Sequence, residues 1–344
     1  MAEAKERLWF WDNAKALLII LVVVGHALDT VLDTPASYGI NFSIYAFHMP
    51  LFIFIFGYFS KRALGGERFP WKRLRGYVLL YLAMRAAKLI ILAATGNMTL
   101  PQLYLFSASD DTWYLMACAL WCVLGYGLLH MRPVKPWILL SLSIGLAMLA
   151  GYDARVSDTL ALSRVLVFLP YFLAGLLIPP DWVEKLRRPG FRWAALAVVI
   201  CLAGLMLWQQ AWFHPLRPLF TGRNPYQNVK AMPYAWGALY RLGSYALSGV
   251  LSAAVLLLCS NRRLPLVSRL GARTMQVYFW QMVVIAVLRG TGLLARLHGS
   301  VPLWFYITLF AAITFVLGLK PLGVPVGWLV NLRFRKETSH ETSA

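Results

Sequence analysis

Ten apolar runs recur along this chain, most of them close to the length that crosses a lipid bilayer. They fall at about 16–33, 44–60, 76–97, 112–130, 137–151, 160–178, 193–211, 235–259, 274–290 and 301–319. A helix rises about 1.5 Å per residue, so a bilayer core needs about 20 residues. The runs at 44–60 and 137–151 are short and are expected to borrow flanking residues or to tilt. The expected fold is all-α, a polytopic membrane bundle of about ten transmembrane helices. A further run, Pro321–Val330, is too short to span, holds Pro and Gly, and reads as interfacial.

Composition points the same way. Hydrophobic residues make up 60% of the chain and charged residues 14%, against about 25% charged in soluble domains. The net charge of +19 would suggest nucleic acid in a soluble protein. Here the basic residues cluster in short segments beside apolar runs, as the positive-inside bias requires, and no nucleic-acid partner is expected. The clusters are Lys5, Arg7 and Lys15; Lys61 to Arg75; Arg132 with Lys135; Lys185 to Arg192; Arg262 to Arg273; and Arg333 to Lys336. The loops between them are poorer, and Gly96–Asp111 has neither Lys nor Arg. Ten crossings with both termini cytoplasmic, in a cell (inner) membrane, satisfy this alternation.

Cys118, Cys122, Cys201 and Cys259 all lie inside apolar runs, at spacings that match neither a disulfide framework nor a metal site. The first run follows a charged start, contains His26 and lacks a small-residue cleavage site, so it reads as a retained helix. The organisation expected is one membrane domain over 1–332 and a short polar cytoplasmic tail over 333–344. The longest outer loop, about 212–234, holds His214, Arg217 and Arg223 and serves either to cover an external site or as a tether.

Ionisable groups within a bilayer are costly and mark function by default. Those at depth are His26, His48, Arg85, Lys88, Arg164 and Arg241. Imidazole is the side chain best suited to exchange a proton near neutral pH. Lys15 precedes His26 by three helical turns, roughly 16 Å along one face. That places a cation at the inner end of a stripe and a base toward its outer end. The alternatives are that Lys15 snorkels to the interface and that His26 bonds a neighbouring carbonyl. His48 lies at similar depth in the next helix. Two histidines with no third ligand at a recognisable spacing argue against a metal. Arg164 needs a carboxylate or an anionic ligand, and Asp110 and Asp111 lie on its side of the membrane.

The stretches WDNAKALLIILVVVGHALD (Trp11–Asp29) and YAFHMPLFIFIFGYFSKR (Tyr45–Arg62) resemble acyltransferase family 3, the integral membrane O-acyltransferases that include fucose 4-O-acetylase-like proteins. Lys15 and His26 fit its marker of a basic residue, ten intervening residues and a histidine. Phe47–Tyr58 matches its second block, with Phe56 where Ser is usual. TWYLMACALW (Thr112–Trp121), SRVLVFLPYFLAGLLI (Ser163–Ile178) and LGARTMQVYFWQ (Leu270–Gln281) are similar to three later blocks, Gln281 standing where His is usual. The resemblance implies acyl-CoA, with acetyl-CoA as the co-substrate by analogy, a carbohydrate or glycolipid acceptor at the outer face, and no bound cofactor. It implies His26 as the essential histidine, assisted by Lys15. His48 and Arg164 are further catalytic candidates. Lys15, Arg73, Arg75 and Tyr278 are expected to hold the donor, and Asp12, Asp111, Trp113 and Gln281 the acceptor. A secondary transporter or flippase for a lipid-linked sugar is the alternative, with His26 and Arg164 as proton or substrate sites.

Overall fold

The computed structural model describes residues 9–97, 111–131, 134–156, 159–179 and 189–332, with Trp182 and Lys185 between the last two. The expected tail at 333–344, and Asp110, Arg132, Arg187 and Arg188, lie outside the described residues. Within these the chain is helical and has no strand.

Helix α1 (Trp9–Leu28) begins well before the apolar run that announces it. Asp12, Asn13 and Lys15 precede the run in sequence, yet they are helical because each finds a partner. Asp12 pairs with Lys15 at 2.8 Å. The Asn13 amide donates to the Ser260 and Arg262 carbonyls at 2.8 and 3.0 Å. Its Oδ1 accepts from Ser268 Oγ at 2.8 Å. Gly271 abuts the Asp12 carbonyl so closely that any side chain there would collide with it.

The expected second span at 44–60 falls mostly in α3 (His48–Leu64), which is preceded by a helix not expected from the apolar runs, α2 (Pro35–Tyr45), the two being separated at Ala46 and Phe47. Thr34 and Ser37 cap α2 reciprocally and Pro35 fills its first turn, an arrangement that starts a helix in a stretch too polar to register as apolar. Helices α4 (Trp71–Ala94), α5 (Trp113–His130), α6 (Pro136–Ala150), α7 (Leu162–Leu177), α8 (Pro189–Trp208) and α9 (Gly237–Leu258) follow. After α10 (Pro265–Gly271) come two bent pairs. In the first, α11 (Thr274–Gly290) turns by 81° into α12 (Leu293–Ser300); in the second, α13 (Leu303–Leu317) turns by 69° into the segment ending in α14 (Gly323–Asn331).

Among the described residues, six helical segments are long and apolar enough to span, or eight if each bent pair is one crossing. The expected count of about ten needs α6 and α7 to cross as well, and both fall in a shorter class of 10–17 residues. The chain is a multi-pass helical membrane protein.

Helix α1 is the centre of the bundle. Of its most apolar window 72% is buried, against 11% for Gly190–Trp208 in α8. It touches α2, α3, α9, α10, α11 and α13. At its far end Tyr306 donates to the Ala27 carbonyl at 3.1 Å. Beside it, α3 and α7 meet backbone to backbone. A Cβ on Gly57 would strike the Phe172 carbonyl, and one on Gly175 the Phe54 carbonyl, the close approach that small residues permit between membrane helices.

Candidate active site

Two cavities flank α1, one toward each end. The larger, about 380 Å³, is lined by His26, Asp29, His48, Asp111, Trp113 and Arg164 among others. The smaller, about 180 Å³, is lined by Lys15, Arg73, Phe56, Phe59 and Tyr114 among others. Val22, Met49 and Tyr278 line both. Lys15, Val22 and His26 stand seven and then four residues apart, which places them on one face of α1.

His26 is held at Nδ1, and a carboxylate stands near Nε2. Nδ1 lies 3.1 Å from Gln281 Oε1 and Nε2 lies 3.8 Å from Asp111 Oδ1. An amide oxygen accepts and does not donate, so with this orientation Nδ1 carries the hydrogen. The Nε2 lone pair then faces the cavity. Gln281 is fully buried on α11. Arg289, about two helical turns further on, donates to the His26 carbonyl at 3.3 Å.

Asp29 ties the cavity wall together. Its carboxylate accepts from Asn41 at 2.9 Å, the Tyr45 hydroxyl at 2.6 Å and Arg217 at 2.5 Å. Arg217 also stacks on Tyr45, 4.0 Å from the ring centre. Arg164 lies 5.1 Å over the Trp113 ring, which also stacks on Phe168 at 5.4 Å. The outer loop closes the cavity with Arg217, Phe220, Thr221, Arg223 and Asn224. Gly222 makes the turn at φ +67°, and its carbonyl accepts from Ser163 on α7 at 2.7 Å. Of the two readings of this loop, cover and tether, the geometry supports cover.

At the other end Lys15 lies 5.5 Å over Phe59. Arg73 donates to Tyr77 at 3.0 Å and Ser60 at 2.9 Å, and stacks 5.2 Å from the Phe56 ring centre. Phe56 sits among Tyr77, Tyr114, Trp121 and Phe172, and supplies an aromatic wall.

The structure thus brings His26, His48, Asp111, Trp113, Arg164 and Tyr278 to one cavity, and Lys15 and Arg73 with Tyr278 to the other. Four expected site residues stand elsewhere or act differently. Asp12 is buried against Lys15 and lines neither cavity. Arg75 lines neither. Gln281 grips His26 from behind. His48 is anchored through Nδ1 to the Ile44 carbonyl at 2.7 Å, so one of its ring nitrogens is already committed. Arg85 and Arg241 are buried outside the cavity, Arg241 donating to the Leu219 carbonyl. Sequence reasoning passed over Asp29, Tyr45 and Arg289. Asp29 was in view three residues after His26, whereas Tyr45 and Arg289 needed the tertiary fold. Among the described residues no cluster of three or more metal-ligating side chains occurs.

The fold and site are those of a multi-pass helical membrane protein with a histidine bordering one cavity beside α1 and two cations bordering the other. The sequence profile described as an acyltransferase domain matches residues 8–320, so the chain belongs to acyltransferase family 3 and is a membrane acyltransferase. No curated protein and no solved structure matches the chain.

The tether on Nδ1 has a measurable consequence. Gln281→Leu is expected to lower kcat by about tenfold, because the imidazole loses the acceptor that fixes its tautomer, while the KM for the acyl donor moves by less than about twofold. Equal changes in both constants would assign Gln281 to donor binding.

Proposed function

We propose that the chain is an O-acetyltransferase of the cell (inner) membrane. It moves an acetyl group from cytoplasmic acetyl-CoA to a hydroxyl of a carbohydrate or glycolipid at the opposite face. The observation that carries this reading is the meeting of the two cavities at Val22, Met49 and Tyr278. One presents cations to the donor's phosphates and the other presents a base to the acceptor. About three turns of α1 separate Lys15 from His26, a distance that an extended pantetheine arm covers.

His26 Nε2 takes the proton of the acceptor hydroxyl as its oxygen forms a bond to the thioester carbonyl. The carboxylate of Asp111 stabilises the imidazolium that results. Arg164, held over Trp113 at the wall of the same cavity, stabilises the negative charge that develops on the carbonyl oxygen. The carbon–sulfur bond then breaks, and the imidazolium proton passes to the departing CoA sulfur. The products are the ester and free CoA, and His26 is again neutral. Membership of an acyltransferase family, together with the base and cations placed at opposite ends of α1, favours this over a transporter or flippase.

The test is transfer of labelled acetyl from acetyl-CoA to a glycan or glycolipid fraction in membranes holding the protein. Lys15→Met and Arg73→Met are each expected to raise the KM for acetyl-CoA by about tenfold, more than they lower kcat. No labelled product with any acceptor fraction would defeat the proposal.

A further inference from the structure

A third cavity, of about 660 Å³, lies at the elbow where α13 bends by 69° toward α14. It stands at the Lys15 end of the bundle, since Gly271, at the end of α10 beside it, abuts the Asp12 carbonyl. Three cations border it: Arg269 on α10, Arg273 at the start of α11, and Lys320 at the elbow. No Asp or Glu is among its described lining residues. Among the described residues none of the three cations pairs with a carboxylate, and the side chains of Arg269 and Lys320 make no hydrogen bond.

The elbow is a built feature. A helix that ends leaves its last carbonyls without partners, and α11 supplies them. Arg273 donates to the Gly318 carbonyl at 2.8 Å, and the Gln276 amide to the Leu317 and Leu319 carbonyls at 2.7 and 2.6 Å. Trp280 donates to the Leu322 carbonyl at 2.7 Å. A guanidinium has five N–H groups, so Arg273 is held in place with donors to spare. On the outside of the elbow the lining is apolar. Leu266, Val316 and Leu319 are 69%, 55% and 55% exposed, where the hydrocarbon of a bilayer would lie. Cations that only snorkel point outward from a helix into water; these three converge on one concavity with an apolar wall. A soluble nucleotide gains nothing from that wall, and Lys15 and Arg73 line a different cavity. A molecule with an anionic head and an alkyl chain matches both parts.

We propose that this elbow binds an anionic phospholipid. Its phosphate sits among Arg269, Arg273 and Lys320, and one acyl chain runs along Leu266, Val316 and Leu319. Arg273 immediately precedes Thr274 and Met275, which with Tyr278 line the cavity that holds Lys15. A lipid in the elbow therefore braces the helix start that forms one wall of that cavity. The site does not depend on the acetyltransferase reading above.

The experiment uses the full chain in an uncharged detergent. Binding of phosphatidylglycerol and of phosphatidylcholine with the same chains is measured by native mass spectrometry. Phosphatidylglycerol is expected to bind at least about tenfold more tightly, and salt should weaken it. Glycerol 3-phosphate and acetyl-CoA, at the same concentration, should leave it bound. Arg269→Gln and Lys320→Gln, both at exposed positions, should together weaken phosphatidylglycerol by about tenfold. Arg262→Gln with Arg263→Gln removes the same charge from the segment just before α10, outside the elbow cavity, and should change binding by less than about twofold. Equal affinity for the two lipids overturns the proposal, and that comparison needs no variant to fold. Equal losses in the two double variants also overturn it, because general surface charge would then be the cause. Displacement of the lipid by acetyl-CoA would overturn it too and assign the elbow to the donor's phosphates.

Discussion

Replacing His26 with alanine is expected to leave a folded protein in the membrane and to lower acyl transfer by at least about 10³-fold, within the range for removal of a positioned general base. The fold survives because α1 is fixed by other groups. Asn13 holds one end through Ser260, Arg262 and Ser268, and Tyr306 holds the other through a backbone carbonyl that alanine keeps. The imidazole itself borders a cavity and fills no gap in the apolar interior. Acetyl-CoA affinity should change little, since Lys15 and Arg73 lie at the far cavity. The measurements are labelled-acetyl transfer, acetyl-CoA binding and the thermal unfolding midpoint in the same detergent. Activity near that of the parent would remove His26 from the chemistry. A drop in unfolding midpoint equal to that of a core variant would make it a structural residue.

The second large effect belongs to the α3–α7 seam. Gly175→Ala adds a methyl where the Phe54 carbonyl already stands, and Gly57→Ala does so against the Phe172 carbonyl. Neither backbone can step aside like a side chain, so each change should cost roughly 2–3 kcal/mol, in the upper part of the range for overpacking. The unfolding midpoint should fall in both. Transfer activity should fall with it, because α3 carries His48 and α7 carries Arg164. Gly127→Ala on α5 is the comparison, as an added Cβ there meets no atom within 4 Å. It should be neutral or slightly stabilising, because alanine favours helix over glycine. Equal behaviour at Gly127 and Gly175 would show that the seam is looser than it stands here.

Several features were legible in sequence for physical reasons. Runs of apolar residues of bilayer length have one outcome in lipid, and they gave the helical architecture and the order of its elements. The spacing of Lys15 and His26 placed a cation and an imidazole on one helical face, where the two cavities now lie. Other features were hidden because they depend on partners far away in the chain. The polar start of α1 looked like a loop until Ser260, Arg262 and Ser268 supplied its hydrogen bonds. The break at Ala46 and Phe47 was masked by an unbroken apolar composition. Gln281 read as a substituted base or a sugar contact, and only the crossing of α11 over α1 shows it gripping Nδ1. Arg289 was passed over, because only the packing of α11 against α1 brings it to the His26 carbonyl.

Val22, Met49 and Tyr278 line both cavities and so form a septum between them. On the reading proposed above, the acyl group passes this septum, which must then stay closed to protons and ions when no substrate is present. Met49, with its long unbranched side chain, is suited to swing aside and return. The thioester arm itself would act as a stopper while the septum is open. Leak current through the resting protein is therefore set by how well a valine, a methionine and a tyrosine meet.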